Sequence, residues 1–274
     1  MAEISHIAWT DSTFNPWIGC TKVGPGCDHC YAEALDKRHR WQGATHWGVG
    51  QPRMRTSAAN WAKPRAWNKA RLKDGETHRV FCASLADVFD NEVPTQWRND
   101  LFTLIWETPA LTWLLLTKRI GNARHMLPLT TLRNVWLGTT VVNQEEADRD
   151  VPKLLETNAA VRFVSYEPAL GPVDWTKFPG LDWIIVGGES TQGAQAREFD
   201  TAWARSTVQQ AREIGAAPFV KQLGSNVVSN MLGPAWSQRH EDTGRGLFRV
   251  RLFDRAGTVP NEWPVDLRVQ EFPA

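Results

Sequence analysis

Seven short runs of nearly continuous apolar or β-branched residues recur along the 274-residue chain, at 13–20, 80–89, 111–119, 135–142, 161–170, 182–190 and 217–225. Strands covered on both faces read this way, without the strict alternation of a half-solvated strand. The intervals between them carry helical spacing. In 95–107, Trp97, Leu101, Leu104 and Ile105 form one stripe that ends at Thr108 and Pro109. In 201–214, Asp200 is the expected N-cap and Gly215 the expected stop, with Trp203, Val208, Ala211 and Ile214 on the inner side. Repeated βα order implies parallel neighbours joined by crossover helices. The expected fold class is therefore α/β, a partial or complete (β/α) barrel with parallel strands in a single domain over 1–274. A doubly wound open sheet shares this order of elements.

Most of the runs end in polar side chains: Asp87, Lys118 and Arg119, Asn143, Glu167, Glu189, Lys221 and Gln222. In barrels the C-terminal strand ends build the active site, so these residues are candidates for it; charges that simply mark where strands leave the core are the plainer alternative.

Two stretches break the rhythm. Residues 31–79 hold eleven Lys and Arg against four acids, a net +7, while the rest of the chain sums to −6. Trp41, Trp47, Trp61 and Trp67 are interleaved with these cations, a mixture suited to phosphate contact and base stacking, so DNA or RNA is the expected partner of this basic insertion. The same residues also describe a solvated surface whose tryptophans anchor it to the barrel. Residues 226–274 are punctuated by Gly and Pro, with a hairpin-like FRVRLFDRAGTV, and are expected to form an irregular C-terminal cap. The start of the chain lacks the charged and apolar regions of a signal peptide and no apolar run is long enough to span a bilayer, so a soluble cytoplasmic protein without membrane contact is expected.

The chemistry is expected at CTKVGPGCDHC, where Cys20, Cys27 and Cys30 lie on a Gly-Pro-Gly loop before a helix-like YAEALDKRH. Clustered thiols in a chain too long to need disulfide staples indicate a metal. Thiolates are soft ligands for an iron-sulfur cluster or for zinc, with His29 or a distant His as a fourth zinc ligand. Three thiolates on a cubane cluster leave one iron open to a non-protein ligand. Cys82, inside an apolar run, reads as a small buried hydrophobe.

The elements WTDSTFNPWIGCTKVGPGCDHCYAE, CASLADVFDNEVP, LLLTKR, WLGTTVVNQEEADRDVP, RFVSYEPALGPVDW, WIIVGGES, PFVKQLG and EWPVDLRVQEFP cover nearly the whole chain. Together they resemble the phage-associated three-Cys-motif family, itself similar to divergent radical S-adenosylmethionine proteins. The resemblance implies a 4Fe-4S cluster on Cys20, Cys27 and Cys30, S-adenosylmethionine on the open iron, and a protein partner. It also implies ligand-orienting roles for Glu167 and Glu189, and carboxylate or phosphate binding or proton transfer by Lys118 and Lys221, with one of Lys118 and Arg119 entering the pocket. A Gly-Gly-Glu tripeptide holds the methionyl amino group in radical enzymes, and Gly187, Gly188 and Glu189 form one here. It follows a late strand rather than an early one, and the first cysteine interval is six residues rather than three. Two glycines at a rim also serve simply as a tight turn. The function expected is a radical enzyme acting on a nucleic acid or nucleotide; a non-enzymatic nucleic-acid-binding protein with a structural zinc or cluster is the alternative.

Overall fold

The computed structural model describes residues 5–128, 133–190, 196–232, 236 and 240–274. Each expected apolar run contributes to one seven-stranded sheet. In their order across it, its strands are β1 (Ser12–Thr13), β4 (Arg79–Cys82), β5 (Thr112–Thr117), β6 (Val135–Thr140), β7 (Val161–Tyr166), β8 (Trp183–Gly187) and β10 (Ala217–Gln222). Helices α3 (Thr95–Trp106), α4 (Ile120–Met126), α5 (Gln144–Leu155) and α6 (Thr201–Glu213) alternate with them. The fold class is α/β, a partial (β/α) barrel in which β1 and β10 stand at the ends of the strand order. Among the described residues no helix is long and apolar enough to cross a membrane.

The chain divides into two compact units, one of Met1–Thr139 with Glu156–Val161, the other of Thr140–Leu155 with Arg162–Ala274. In the first unit the run at 13–20 makes two short strands rather than one. Asn15 and Pro16 separate β1 from β2 (Trp17–Ile18), which pairs antiparallel with β3 (Met54–Arg55). The Asn15 amide replaces the missing ladder bonds: its Oδ1 accepts from Leu85 N at 2.7 Å, and Nδ2 donates to Ser84 Oγ at 2.9 Å. Aromatic packing fills the core, with Phe14 edge-on to Trp61 and Trp113 at 5.6 and 5.7 Å and Trp9 beside Phe81 at 4.6 Å.

The basic stretch 31–79 forms α1 (Tyr31–His39), β3 and α2 (Ala58–Asp74). Ser57 caps α2 by accepting from Asn60 N, and Gly75 ends it at a φ of +71°.

In the second unit β7, β8 and β10 are parallel neighbours. Asp200 caps α6 by accepting from Ala202 N at 2.9 Å, and Gly215 lies beyond its end at a φ of +80°. The C-terminal segment is more regular than expected. It forms a four-stranded sheet, β12 (His240–Asp242), β13 (Phe248–Val250), β11 (Val227–Ser229) and β9 (Phe199–Asp200), so the hairpin joins β12 to β13 rather than lying within 248–259. The last residues line β10: Val220 N donates to Val269 O at 2.7 Å and Glu271 N to Pro218 O at 3.0 Å. This covers an edge that would otherwise expose unpaired backbone groups.

Leu115 is fully buried at the centre of β5. Leu115→Ala is expected to cost about 2–5 kcal/mol through lost contact and a residual cavity. Urea unfolding should show a lower midpoint with an unchanged slope.

Candidate functional site

In the first unit the cysteine loop leaves β2 through Gly19, whose φ is +114°. A Cβ there would run into the His46 carbonyl oxygen and lie 2.9 Å from Arg53 Cδ, so only glycine allows the approach. Cys20 O then accepts from Gly48 N at 2.9 Å. Cys27 sits buried in a 3-10 turn at Pro25–Cys27, and Cys30 is the N-cap residue of α1.

The ends of β4 and β5 converge on Cys20. Asp87, five residues beyond β4, accepts from Thr117 Oγ1 at 2.7 Å, Phe89 N at 2.9 Å and Lys118 N at 3.1 Å. Its Oδ2 also accepts from Arg119 Nη1 at 3.1 Å. Arg119 in turn donates to Cys20 Sγ at 3.4 Å and to Thr21 O at 2.6 Å. Burial, with Asp87 adding to it, pushes the Cys20 thiol up to about 12, against the pull of Arg119. Of the two cations at this strand end, Arg119 is the one that reaches the thiol; Lys118 is half-buried beside it. The adjacent pair at a strand end is the sequence signal that one of Lys118 and Arg119 enters the pocket; the candidate carried forward is Lys118, and the structure directs Arg119 to the thiol.

A second arginine shapes the loop from beneath. Arg53 Nε donates to Asp90 Oδ2 at 2.9 Å, and Nη1 to the carbonyls of His46, Gly48 and Gln51 at 3.1, 3.2 and 2.9 Å. Nη2 donates to Thr21 Oγ1 at 2.7 Å and pairs with Asp90 and Glu92 at 2.8 and 3.3 Å. Asp36, also buried, accepts from His46 N at 2.6 Å and lies 2.8 Å from its Nδ1.

Among the described residues no three His, Cys, Asp or Glu side chains are grouped as the ligands of a single metal ion. His29 is exposed and Cys82 fully buried, its thiol pushed up by desolvation, as expected of a core hydrophobe. Three thiols on one loop, with a guanidinium directed at one of them, fit the donor chemistry of a cluster, which spreads its thiolates over separate corners.

Five of the ten other cations of 31–79 pair with acids. Arg55 pairs with Asp100 at 2.7 Å and lies 4.2 Å over the Trp61 ring, Arg65 pairs with Glu107, and Arg71 with Asp74 and Glu76. Trp61 is buried, Trp41 stacks on His39 at 5.2 Å, Trp67 lies 5.8 Å from His78, and Trp47 packs on the Ile18, Ala32 and Leu85 cluster. These tryptophans anchor the insertion.

In the second unit the structure brings two expected site residues together: Lys221 Nζ donates to Glu167 Oε1 at 2.6 Å. Glu189 accepts from Arg197 through N, Nε and Nη2 at 2.9, 3.2 and 2.6 Å. Gly187 and Gly188 let the end of β8 lie against the end of β10. Gly188 N donates to Gln222 O at 3.1 Å, Gln222 Nε2 returns to Gly188 O at 2.9 Å, and a Cβ on Gly188 would collide with the Leu223 carbonyl.

Arg53→Met is expected to cost about 3–5 kcal/mol by leaving the buried Asp90 carboxylate unpaired, with faster amide exchange at 19–21 and 46–51. Gly188→Ala is expected to cost about 1–3 kcal/mol by forcing the two strand ends apart, read as a lowered melting temperature.

No functionally curated protein matches the chain. A solved structure of a cysteine-to-alanine mutant of spore photoproduct lyase, with a dinucleoside spore photoproduct, is similar at a TM-score of 0.44 and 12% identity, over 92% of this chain and 70% of that one. Residues 4–255 match the model of a family described as a protein of unknown function, DUF5131, and the chain belongs to that family.

Proposed function

We propose that this protein is an iron-sulfur enzyme of the radical S-adenosylmethionine type that acts on a nucleic acid or nucleotide, with a 4Fe-4S cluster held by Cys20, Cys27 and Cys30. The observation that carries this reading is the convergence of the β2, β4 and β5 ends on one half-buried thiol, Cys20, through Asp87 and Arg119. A structural cysteine needs no cation aimed at its sulfur, whereas a ligating thiolate gains from a charge-assisted donor.

When bound, the cluster and S-adenosylmethionine supply the electron and the radical. The protein's own groups hold and shape the site. Arg119 donates to the Cys20 sulfur, offsetting the charge a thiolate carries, and Asp87 fixes the guanidinium. Arg53 keeps the backbone of 46–51 in place behind Cys20. The second unit carries its own two ion pairs, Lys221 with Glu167 and Arg197 with Glu189.

Anaerobically purified protein is expected to hold about four iron and four sulfide per chain. Its reduced electron paramagnetic resonance spectrum should change on adding S-adenosylmethionine. Cys27→Ala should lose iron and sulfide together, and Arg119→Gln should keep them with a shifted reduction potential. Stoichiometric zinc without iron, or full iron in Cys27→Ala, would overturn the reading.

A further inference from the structure

Of the 15 tryptophans, all among the described residues, only Trp106 is exposed, at 70%. It is the last residue of α3, outside the basic stretch, yet its neighbours fasten it to α2. Arg65 Nε donates to Glu107 Oε2 at 3.1 Å, and Ala110 N donates to Asn68 Oδ1 at 2.9 Å. The α2 helix buries Asn60, Trp61, Pro64 and Asn68 and turns Ala62, Ala66, Lys69, Ala70 and Lys73 outward. Lys69 and Lys73 stand about 6 Å apart along its axis. Carboxylates already occupy Arg65, through Glu107, and Arg71, through Asp74 and Glu76. Among the described residues none pairs with Lys63, Lys69 or Lys73. The outward side of α2 therefore offers two uncommitted cations, Lys69 and Lys73, and an exposed aromatic ring is fastened to the same helix.

We infer that this face, Lys69 and Lys73 with Trp106, docks single-stranded nucleic acid, the lysines on its phosphates and Trp106 under an unstacked base. An exposed ring beside ammonium groups is the pairing that single-strand binding uses: charge tracks the backbone and the ring accepts any base. A duplex keeps its bases stacked and offers the ring nothing. An anionic membrane would require a broad apolar face, and the outward side of α2 carries alanine, lysine and arginine with Leu72 as its one large exposed apolar residue. This deepens the substrate class proposed above and rests on it only for the chemistry after docking.

The test is fluorescence anisotropy with labelled 20-nucleotide single-stranded DNA and RNA, the corresponding duplex, and vesicles of phosphatidylglycerol. Single strands are expected to bind more tightly than duplex and to quench tryptophan emission. Trp106→Ala should weaken binding about 5- to 100-fold, and Trp106→Phe should retain most of it. Replacing Lys69 and Lys73 by Ala should flatten the log-log salt dependence by about one. Circular dichroism confirms that each variant is folded. Cys27→Ala should bind the oligonucleotide as the parent chain does, which separates docking from the cluster chemistry. Undiminished binding in both the lysine and the Trp106→Ala variants, or binding of vesicles in place of oligonucleotides, overturns the inference.

Discussion

The guanidinium of Arg53 is the group around which the cysteine-bearing end of the first unit is organised. Arginine does not give up its proton, so a fully buried guanidinium must find acceptors for its planar fork. Residues 46–51 form neither helix nor strand, so their carbonyls need donors of their own. Each requirement is met by the other: three carbonyls, Thr21 Oγ1 and two acids surround the one side chain. Because Gly48 N also holds Cys20 O, the position of the first thiol follows from this arrangement.

The same device recurs along the segment after β4. Arg98 is buried and donates to the carbonyls of Val88 and Asp90 at 2.9 and 2.8 Å. Asp90 thus faces Arg53 with its side chain and Arg98 with its backbone, while Asp87 faces Arg119. Between these polar anchors Leu85, Val88, Phe89 and Val93 are buried. An irregular segment stays in a core because arginine donors satisfy what secondary structure would otherwise satisfy.

The sequence made legible what local pattern determines. Strands buried on both faces and helices with an apolar stripe appear where their periodicity puts them, and Asp200 and Gly215 bound α6 as their residue types require. The two strands at 12–18 were not separable, since Asn15 acts through Leu85 and Ser84, seventy residues away in sequence. The C-terminal sheet escaped notice because strands of two or three residues owe their existence to distant partners. At the site the three cysteines were visible by spacing. Arg53 was hidden among eleven cations, since counting charge treats every cation as solvated and burial is decided by tertiary structure. The tryptophans of 31–79 suffered the same ambiguity: composition does not distinguish an anchor from a stacking surface, and the exposed ring was Trp106.

Burial also separates ion pairs of identical chemistry into different tasks. The Arg53 and Asp90 side chains are 0% and 3% exposed, and removing either would strand the other charge in a medium that solvates it poorly. Lys221 and Glu167 are 20% and 17% exposed, and Arg197 is 28% exposed against Glu189 at 8%. Water reaches these groups, so their pairing is worth less and separating them costs less. A ligand bearing its own charges can replace one partner in such a pair without leaving the other bare. The buried pairs therefore serve as framework, while the pairs at the ends of β7, β8 and β10 keep solvent contact through Lys221, Glu167 and Arg197 and hold those strand ends less rigidly.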